Sequence, residues 1–297
     1  MQIRFSASAS ASSFHAAAAI ARGWPLVDAR LTEALTAPVT SLTAELAASG
    51  IDAEAFFAQA VPLAADFENN RELAERVLIK LRGRENHELP AARLAGWFSQ
   101  LESAFLGVVP GVVDELELRS GPLREQWEAR GPGLLAAIER LTEPALLAES
   151  AEVVLVYPAL GGSAAAHLSC NKVVIEALLT NPHGELPEVV RLGWLLSSLN
   201  LDLPKYSEAI PPKRLTRLAP LAMLPVALEA AAKVELTPGG PALLERAVAA
   251  WRLADSNAEL LAETLQKWWQ TYQDRRPAWS VALAALDRML IGSGDQS

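Results

Sequence analysis

The spacing of apolar residues predicts helices through most of the first half of the chain. Over residues 26–49 and 51–109, apolar side chains recur every three or four positions, as they do on the buried face of an amphipathic helix. The prolines at positions 38, 62 and 90 are expected to interrupt these helices, because proline lacks the amide hydrogen that a helix interior requires.

Two other segments of the first half carry turn signals. A pair of helices is expected on either side of Gly131-Pro132-Gly133, since glycine and proline together favour a break. The N-terminal stretch "SASASASS" consists of small residues, and we expect a flexible lead that enters the first helix near Phe14. Helix is therefore predicted from about residue 14 to about residue 148.

The pattern changes from helix to strand at Glu152. The run "EVVLVYPAL" is rich in β-branched residues and is followed by the turn signal "GGS". In the next run, Val173 and Ile175 fall on one face, whereas Lys172 and Glu176 fall on the other. Two strands are therefore predicted in the middle of the chain.

A strongly apolar helix is predicted next, over residues 187–200. Pro187 is well placed to begin it, and "EVVRLGWLLSSLN" is apolar around most of the helix circumference. Such a helix is typical of a protein interior. After an irregular segment with three prolines, helix is expected again from Thr216, ending in two or three amphipathic helices.

These elements predict an α+β fold that is predominantly helical, with a small β-sheet in the middle of the chain packed on the central apolar helix. We divide the chain into a helical N-terminal region, residues 1–150, and an α+β region, residues 151–297. The second region contains the sheet, the helix at 187–200 and the C-terminal helices. The pattern is equally consistent with one continuous domain.

Composition narrows the class of protein. With 35 acidic and 26 basic side chains the formal charge is −9, which disfavours binding to nucleic acid or to an anionic membrane. No apolar run reaches the length of about 18 residues that a membrane span needs. The single cysteine, Cys170, excludes an internal disulfide. We therefore expect a cytoplasmic protein without a cofactor, whose partner is a protein or a small molecule and which is free to form an oligomer.

The order of elements from Glu152 to Asn200 resembles the region around the active-site helix of the zincin metallopeptidases. A strand, a glycine-rich turn, an edge-like strand, a polar loop and an apolar helix follow one another over about fifty residues. In zincins this helix carries His-Glu-x-x-His, whose two histidines bind zinc while the glutamate acts as general base. The resemblance implies a zincin-like scaffold.

The zincin motif itself is missing from this helix. Its positions are occupied by Trp194, Leu195 and Ser198 or, with the alignment moved by one residue, by Gly193, Trp194 and Ser197. Neither alignment retains a metal ligand. We therefore expect no zinc and no zinc-dependent catalysis at this helix. We expect Trp194 to be buried against the strand that contains Val173 and Ile175.

Other metal sites have weaker support in the sequence. His167 and His183 lie on either side of the second strand, where either Cys170 or Glu185 is a candidate third ligand. Separate surface or capping roles are the alternative. "NHELP", which contains His87, begins like the protease motif but has alanine where the second histidine is required.

A serine hydrolase is the second class that the sequence suggests. Ser163 follows a strand and two glycines, as in the Gly-x-Ser-x-Gly nucleophile turn, with Ala165 in place of the last glycine. His167 is too near in sequence to be an easy base, and no histidine follows His183. A flexible connection between strands is the alternative interpretation of "LGGS".

An aromatic cluster near the C-terminus is a candidate interface, because Trp, Tyr and Arg dominate binding hot spots. Core packing of its rings is the alternative. The candidate residues are Trp268, Trp269, Tyr272, Trp279, Arg275 and Arg276.

Together these observations favour a non-catalytic protein that acts through a ligand or partner surface on a zincin-like scaffold without zinc. The alternative function is a hydrolase that uses Ser163, or a metal site near His167 and His183.

Overall fold

The structure is a computed structural model that describes residues 1–84, 88–143, 146–254 and 257–292. It is 68% helical, and its described residues form twelve α-helices and one four-stranded mixed sheet. The predicted α+β, predominantly helical fold class is therefore confirmed.

In the described residues, six helices precede the second strand and six follow the last one. The first six are α1 (Ala9–Ala21), α2 (Ala29–Ala48), α3 (Ala53–Leu63), α4 (Asn70–Arg82), α5 (Glu88–Val108) and α6 (Val112–Leu141). The last six are α7 (Glu188–Ser198), α8 (Pro204–Ser207), α9 (Pro212–Lys233), α10 (Pro241–Ala250), α11 (Ala258–Arg275) and α12 (Trp279–Gly292).

The sheet consists of β1 (Gln2–Ala7), β2 (Ser150–Val156), β3 (Ala164–His167) and β4 (Lys172–Glu176), in the order β1-β2-β4-β3. The first three strands in this order are parallel, and β3 is antiparallel to β4. Strand β4 thus inserts between the two strands that precede it in sequence, which leaves β3 at the edge.

The prediction of a flexible N-terminal lead is wrong. Its first residues belong to β1, which pairs with β2 from Gln2 opposite Ser150 to Ala7 opposite Leu155. Ser8 caps α1 by accepting a hydrogen bond from the amide of Ala11. The serine-rich composition concealed both features, because small residues fit a tightly packed strand as well as a loose tail.

Several helix breaks that the sequence predicts do not occur in the described helices. Pro38 and Pro62 lie inside α2 and α3, and α6 continues without a break through Pro132. A Cβ atom at Gly131 would lie 2.5 Å from the Trp127 ring, so the glycine makes room for that indole within one helix. Tertiary packing therefore outweighs the local preference for a break.

Helix α7 lies at the centre of the fold, as the sequence predicts. All eleven of its residues are buried, and it packs against α6, α9, β3 and β4. A Cβ atom at Gly193 would lie 2.4 Å from Leu134 Cδ2, so this glycine permits the close approach of α6.

One described helix, α9, has the length and apolar composition of a membrane span. However, 72% of its apolar window is buried inside the protein. That degree of burial is typical of a core helix and is consistent with a soluble protein.

Candidate functional site

Strand β3 has one free edge. The amide of Glu176 donates a hydrogen bond to the carbonyl of Ser163 at 2.9 Å, which fixes the phase of the antiparallel ladder. Hydrogen-bonded pairs alternate along such a ladder, so Ala165 bonds to β4. The backbone N–H and C=O groups of Ala164 and Ala166 therefore point away from the sheet.

Two cavities flank this free edge, and we call them together the edge cleft. The cavity toward α1 and α3 has a volume of about 180 Å³ and is lined in part by His15, Phe57, Val61 and His167. The cavity toward α7 has a volume of about 220 Å³ and is lined in part by Arg191, Trp194, Trp251 and Arg252. Both cavities share Arg22, Trp24, Leu160, Ser163 and Ala165.

One buried carboxylate holds the loop between β2 and β3 against the cleft. Glu176, the last residue of β4, accepts hydrogen bonds from the amides of Leu160, Gly162 and Ser163 at 2.6, 2.6 and 3.0 Å. The His15 ring donates a fourth from Nε2 at 2.9 Å. These bonds fix the loop relative to the sheet and to α1.

The same bonds determine the protonation state of Glu176. Burial alone raises the pKa of this carboxyl, but the bonds from the His15 ring and from the loop amides outweigh burial and lower the pKa below its ordinary value. Glu176 is therefore ionised at neutral pH.

Arg191 and Glu188 form a buried ion pair beside the cleft, in the first turn of α7. Arg191 Nη1 lies 3.4 Å from Glu188 Oε2, a separation without a hydrogen bond. Burial raises the pKa of Glu188, although the charge of Arg191 opposes this change. Burial also lowers the pKa of Arg191. The two charged groups are therefore buried close together without a hydrogen bond between them.

Two stacked indoles line the cavity next to this pair. The rings of Trp194 and Trp251 lie 4.9 Å apart at 13°, and the Arg191 guanidinium lies 5.1 Å from the centre of the Trp251 ring. Trp194 Nε1 donates a hydrogen bond to the carbonyl of Pro220 at 2.6 Å. Because its donor is satisfied and its ring is stacked, Trp194 is firmly placed.

The three positions of the missing zincin motif are all buried in α7. Trp194 is buried, as expected, and Leu195 is buried beside it. The Trp194 ring stacks on Trp251 and its Nε1 donates to Pro220, so these partners differ from the expected strand with Val173 and Ile175. The Ser198 hydroxyl donates to the carbonyl of Leu195 at 2.7 Å, within its own helix. These positions serve packing.

Ser163 and His167, the candidate hydrolase residues, line one cavity but are not joined. His167 Nδ1 donates to the carbonyl of Ala58 at 3.2 Å, and burial lowers the pKa of His167 to about 4. In the described part of the chain no hydrogen bond links the Ser163 hydroxyl to a histidine ring.

The candidate metal ligands do not come together. Over the described ranges, no group of three or more His, Cys, Asp or Glu side chains is placed to hold a metal ion. His183 is exposed, and Glu185 forms an ion pair with Arg246. Cys170 is partly buried and lies just after the C-terminal end of β3. His87 lies outside the described residues.

The four rings of the candidate C-terminal interface are buried, which favours core packing, one of the two alternatives that the sequence left open. They pack on one another and on the neighbouring helices, as the core-packing alternative predicts; the rings are those of Trp268, Trp269, Tyr272 and Trp279. Arg275 and Arg276 are exposed, and Arg276 donates to the carbonyl of Leu141. Hydrophobic burial accounts for this placement, since the amphipathic face of α11 turns inward.

Sequence reasoning missed four residues of the cleft: His15, Glu176, Arg191 and Trp251. The first two are 161 positions apart and meet only in the folded chain. A signal did exist for Arg191, because it is the one charge in the middle of the apolar run "VVRLGWLL". A charge within an otherwise apolar, buried helix indicates a tertiary role.

Comparison with known proteins adds no assignment to this geometry: no protein-family model, no curated protein and no solved structure matches the chain.

Proposed function

We propose that the protein binds an extended polypeptide segment in the edge cleft without cleaving it, on a zincin-like scaffold that lacks zinc. The observation that carries this proposal is the free edge of β3, a strand that begins with three alanines and lies between two open cavities. A free strand edge is a template for one more strand.

The backbone of β3 supports the addition of a strand. The outward N–H and C=O groups of Ala164 and Ala166 would form hydrogen bonds with a bound chain. Soluble proteins commonly protect such edges with lysine, proline or a bulge. Here the three residues that begin the edge strand have methyl side chains, which add little bulk beside the backbone; Ala164 is partly exposed, whereas Ala166 is buried beside the cavity toward α1 and α3.

The two cavities supply places for side chains. Successive side chains of an extended segment point to opposite faces of the sheet, so one set would enter each cavity. Each cavity is smaller than the roughly 300 Å³ at which pockets for drug-sized ligands begin, which fits single side chains better. The indole of Trp24 gives apolar contact area in both cavities, and that of Trp251 does so in the cavity toward α7.

The residues of α7 are the reason why we propose binding without catalysis. Trp194, Leu195 and Ser198 occupy the positions at which a zincin carries its ligands and base, and none of these side chains binds zinc or accepts a proton at neutral pH. The scaffold is therefore proposed to retain a peptide cleft without hydrolytic chemistry.

The test is a binding measurement with a defined peptide pool. We expect fluorescein-labelled heptapeptides, randomised over Val, Ile, Thr, Tyr and Ser, to raise fluorescence polarisation in a saturable manner. Mass spectrometry should show the pool intact after overnight incubation with zinc. N-methylation of alternate peptide amides should abolish binding, because it removes the donors that face β3.

Ala166→Pro is the matching protein variant, since it removes an outward N–H that the sheet does not use. Ala7→Pro is its control, because the amide of Ala7 lies on the free side of β1 at the other edge of the same sheet. We expect Ala166→Pro to weaken binding and Ala7→Pro to leave it unchanged. Equal binding by both variants, or no binding by the wild type, would contradict the proposal.

A second candidate function is the hydrolase that uses Ser163. It gains one specific observation: Ser163 lines the same cavity as His15, which pairs with the Glu176 carboxylate at 2.9 Å. Ser, His and Glu are the residue types of a catalytic triad. A fluorophosphonate probe distinguishes the two functions, because stoichiometric labelling that Ser163→Ala abolishes would favour the hydrolase. We expect no labelling.

A further inference from the structure

The end of the edge cleft beside Ala164 is rich in arginine. Arg22, Arg191 and Arg252 line the cavity toward α7. Among their described lining residues, neither cavity has an aspartate or a glutamate. Arg22 also approaches Glu54 at 3.3 Å, but that carboxylate is largely exposed and its attraction is weakened by water. Arg191 faces the buried Glu188 carboxylate at 3.4 Å, which offsets part of its charge. With Arg22 and Arg252 beside it, this end of the cleft still favours an anion, although the whole chain carries a charge of −9.

Arg191 is the most buried of the three arginines, and one of its donor atoms lacks a hydrogen-bond acceptor. It is only 2% exposed, and among the described residues no acceptor is present for its Nε. The indole Nε1 of Trp251, whose ring stacks on the guanidinium, also has no acceptor. Two unpaired donors at one place are costly unless something else binds them. The Glu188 carboxylate lies 3.4 Å from Arg191 Nη1 but accepts no hydrogen bond from it. A bound group with two acceptor oxygens would satisfy both donors.

We propose that this pocket binds the C-terminal carboxylate of the peptide that adds to β3. The inference rests on the proposed function and specifies its ligand class: extended peptides with a free C-terminus. A carboxylate offers two oxygens to a guanidinium, and hydrogen bonds between charged groups are the stronger kind.

The position of the pocket also sets the direction of the peptide. The arginine-lined cavity adjoins Gly162, Ser163 and Ala164, where β3 begins. A strand that runs antiparallel to β3 ends at this point, and its terminal carboxylate reaches the arginines. A parallel strand would begin here and bring its ammonium group to the same arginines, which repel it. The bound peptide is therefore antiparallel to β3.

The experiment compares three heptapeptide pools that differ only at the C-terminus. One pool ends in a free acid, the second in an amide, and the third in an amide preceded by Asp. We expect the free-acid pool to bind about tenfold more tightly than the amide pool, a ratio that one charge-assisted contact readily supplies. The third pool should bind like the second, because a side-chain carboxylate projects to one side of the strand.

The paired variant Glu188→Gln with Arg191→Gln tests the pocket without leaving an unpaired buried charge. Its control is Glu75→Gln with Arg71→Gln, a surface pair on α4 whose closest atoms are 3.3 Å apart. The ratio of acid to amide affinity should fall toward one in the first variant and stay near tenfold in the control.

The outcomes separate this inference from the proposed function. Equal binding of the acid and amide pools by the wild type overturns carboxylate recognition but leaves edge-strand binding in place. Equal binding of the acid pool and the Asp pool overturns recognition of the C-terminus. Binding of no pool contradicts the proposed function as well. These comparisons use the wild-type chain, so they decide the question even if the paired variant fails to fold.

Discussion

A single carboxylate determines where the loop beside the edge cleft lies. The Glu176 side chain accepts hydrogen bonds from three loop amides and from the His15 ring, and these partners come from two separate parts of the chain. At the scale of single residues, the shape of the cleft depends on the hydrogen bonds to one buried charge, because an ionised carboxylate inside a protein needs several donors.

Glu176→Gln tests this role. The amide retains one acceptor oxygen and turns an NH₂ group toward the loop donors, so we expect a loss of about 2–4 kcal/mol of unfolding free energy in urea. The amides of Leu160 and Gly162 should also exchange with solvent faster. Glu149→Gln, at an exposed position, is the control. An unchanged urea midpoint would show that the loop is held by other contacts.

The effect of Glu176→Gln should depend on pH. Since the pKa of Glu176 is lowered in the folded chain, its stabilising contribution is complete above its ordinary value of 4.5 and is lost as the pH falls through the lower folded value. The stability difference between wild type and variant should therefore shrink in strong acid.

His167 predicts a separate pH effect. Burial lowers its pKa from 6.5 to about 4, so the unfolded chain binds a proton in this range while the folded chain does not. Stability is therefore lost as the pH falls from about 6.5 toward 4. From pH 7 to 5 we expect His167 to account for about 1–2 kcal/mol of that loss, less than the full shift implies because water reaches part of the ring.

His167→Gln should remove this part of the acid sensitivity. Urea unfolding at pH 7 and pH 5 measures it, and His183→Gln, which removes an exposed histidine, is the matched control. If both variants lose as much stability as the wild type between these two pH values, His167 is protonated normally in the fold.

At the scale of single residues, the sequence could not predict which residues far apart in the chain lie in contact in the fold. The alternation of the second strand placed Glu176 on its polar face but gave no reason for its burial. His15 lies on α1, whose sequence carried only a weak periodic signal because alanine and serine dominate it. Trp194 was predictable as a buried residue, since it interrupts no apolar run.

Helix α7 is the element on which the proposal of a non-catalytic function rests. Every residue of this helix is buried, and Trp194 is stacked on Trp251 and bonded to Pro220. Histidine or glutamate side chains at the motif positions would enter a packed interior without prepared partners.

Restoring the motif should therefore damage the fold. We expect the triple variant Trp194→His, Leu195→Glu and Ser198→His to lose at least about 4 kcal/mol of unfolding free energy and to show no peptidase activity with zinc present. Trp24→His, at an indole that is 41% exposed, is the control for loss of a tryptophan. A stable triple variant that cleaves the heptapeptide pool would contradict the account of α7.

Elements with strong periodicity were predictable, and those whose ends depend on packing were not. The two central strands, α7 and the C-terminal helices follow from alternation and helical spacing. Strand β1 was missed because its pairing with β2 is decided by residues nearly 150 positions away. The unbroken α6 was missed because the fit of Trp127 over Gly131 is a tertiary contact.

At the scale of the whole molecule, the sheet joins the two regions that the sequence distinguished. Strand β1 comes from residues 1–150 and pairs with β2 at the start of the second region. The insertion of β4 between β2 and β3 then creates the free edge. Strand order is not encoded in local periodicity, so the cleft was not predictable from the sequence, although both of the central strands were.

Amide hydrogen exchange in β3, followed by NMR with the free-acid heptapeptide pool, tests the central claim most directly. A peptide added as a strand uses only the outward donors of β3, so the exchange of Ala164 and Ala166 should slow strongly on binding. The amide of Ala165 already bonds to β4 and should change little. Equal slowing of all three amides, or slowing at sites remote from β3 with no change at Ala164 and Ala166, would contradict binding at the edge cleft.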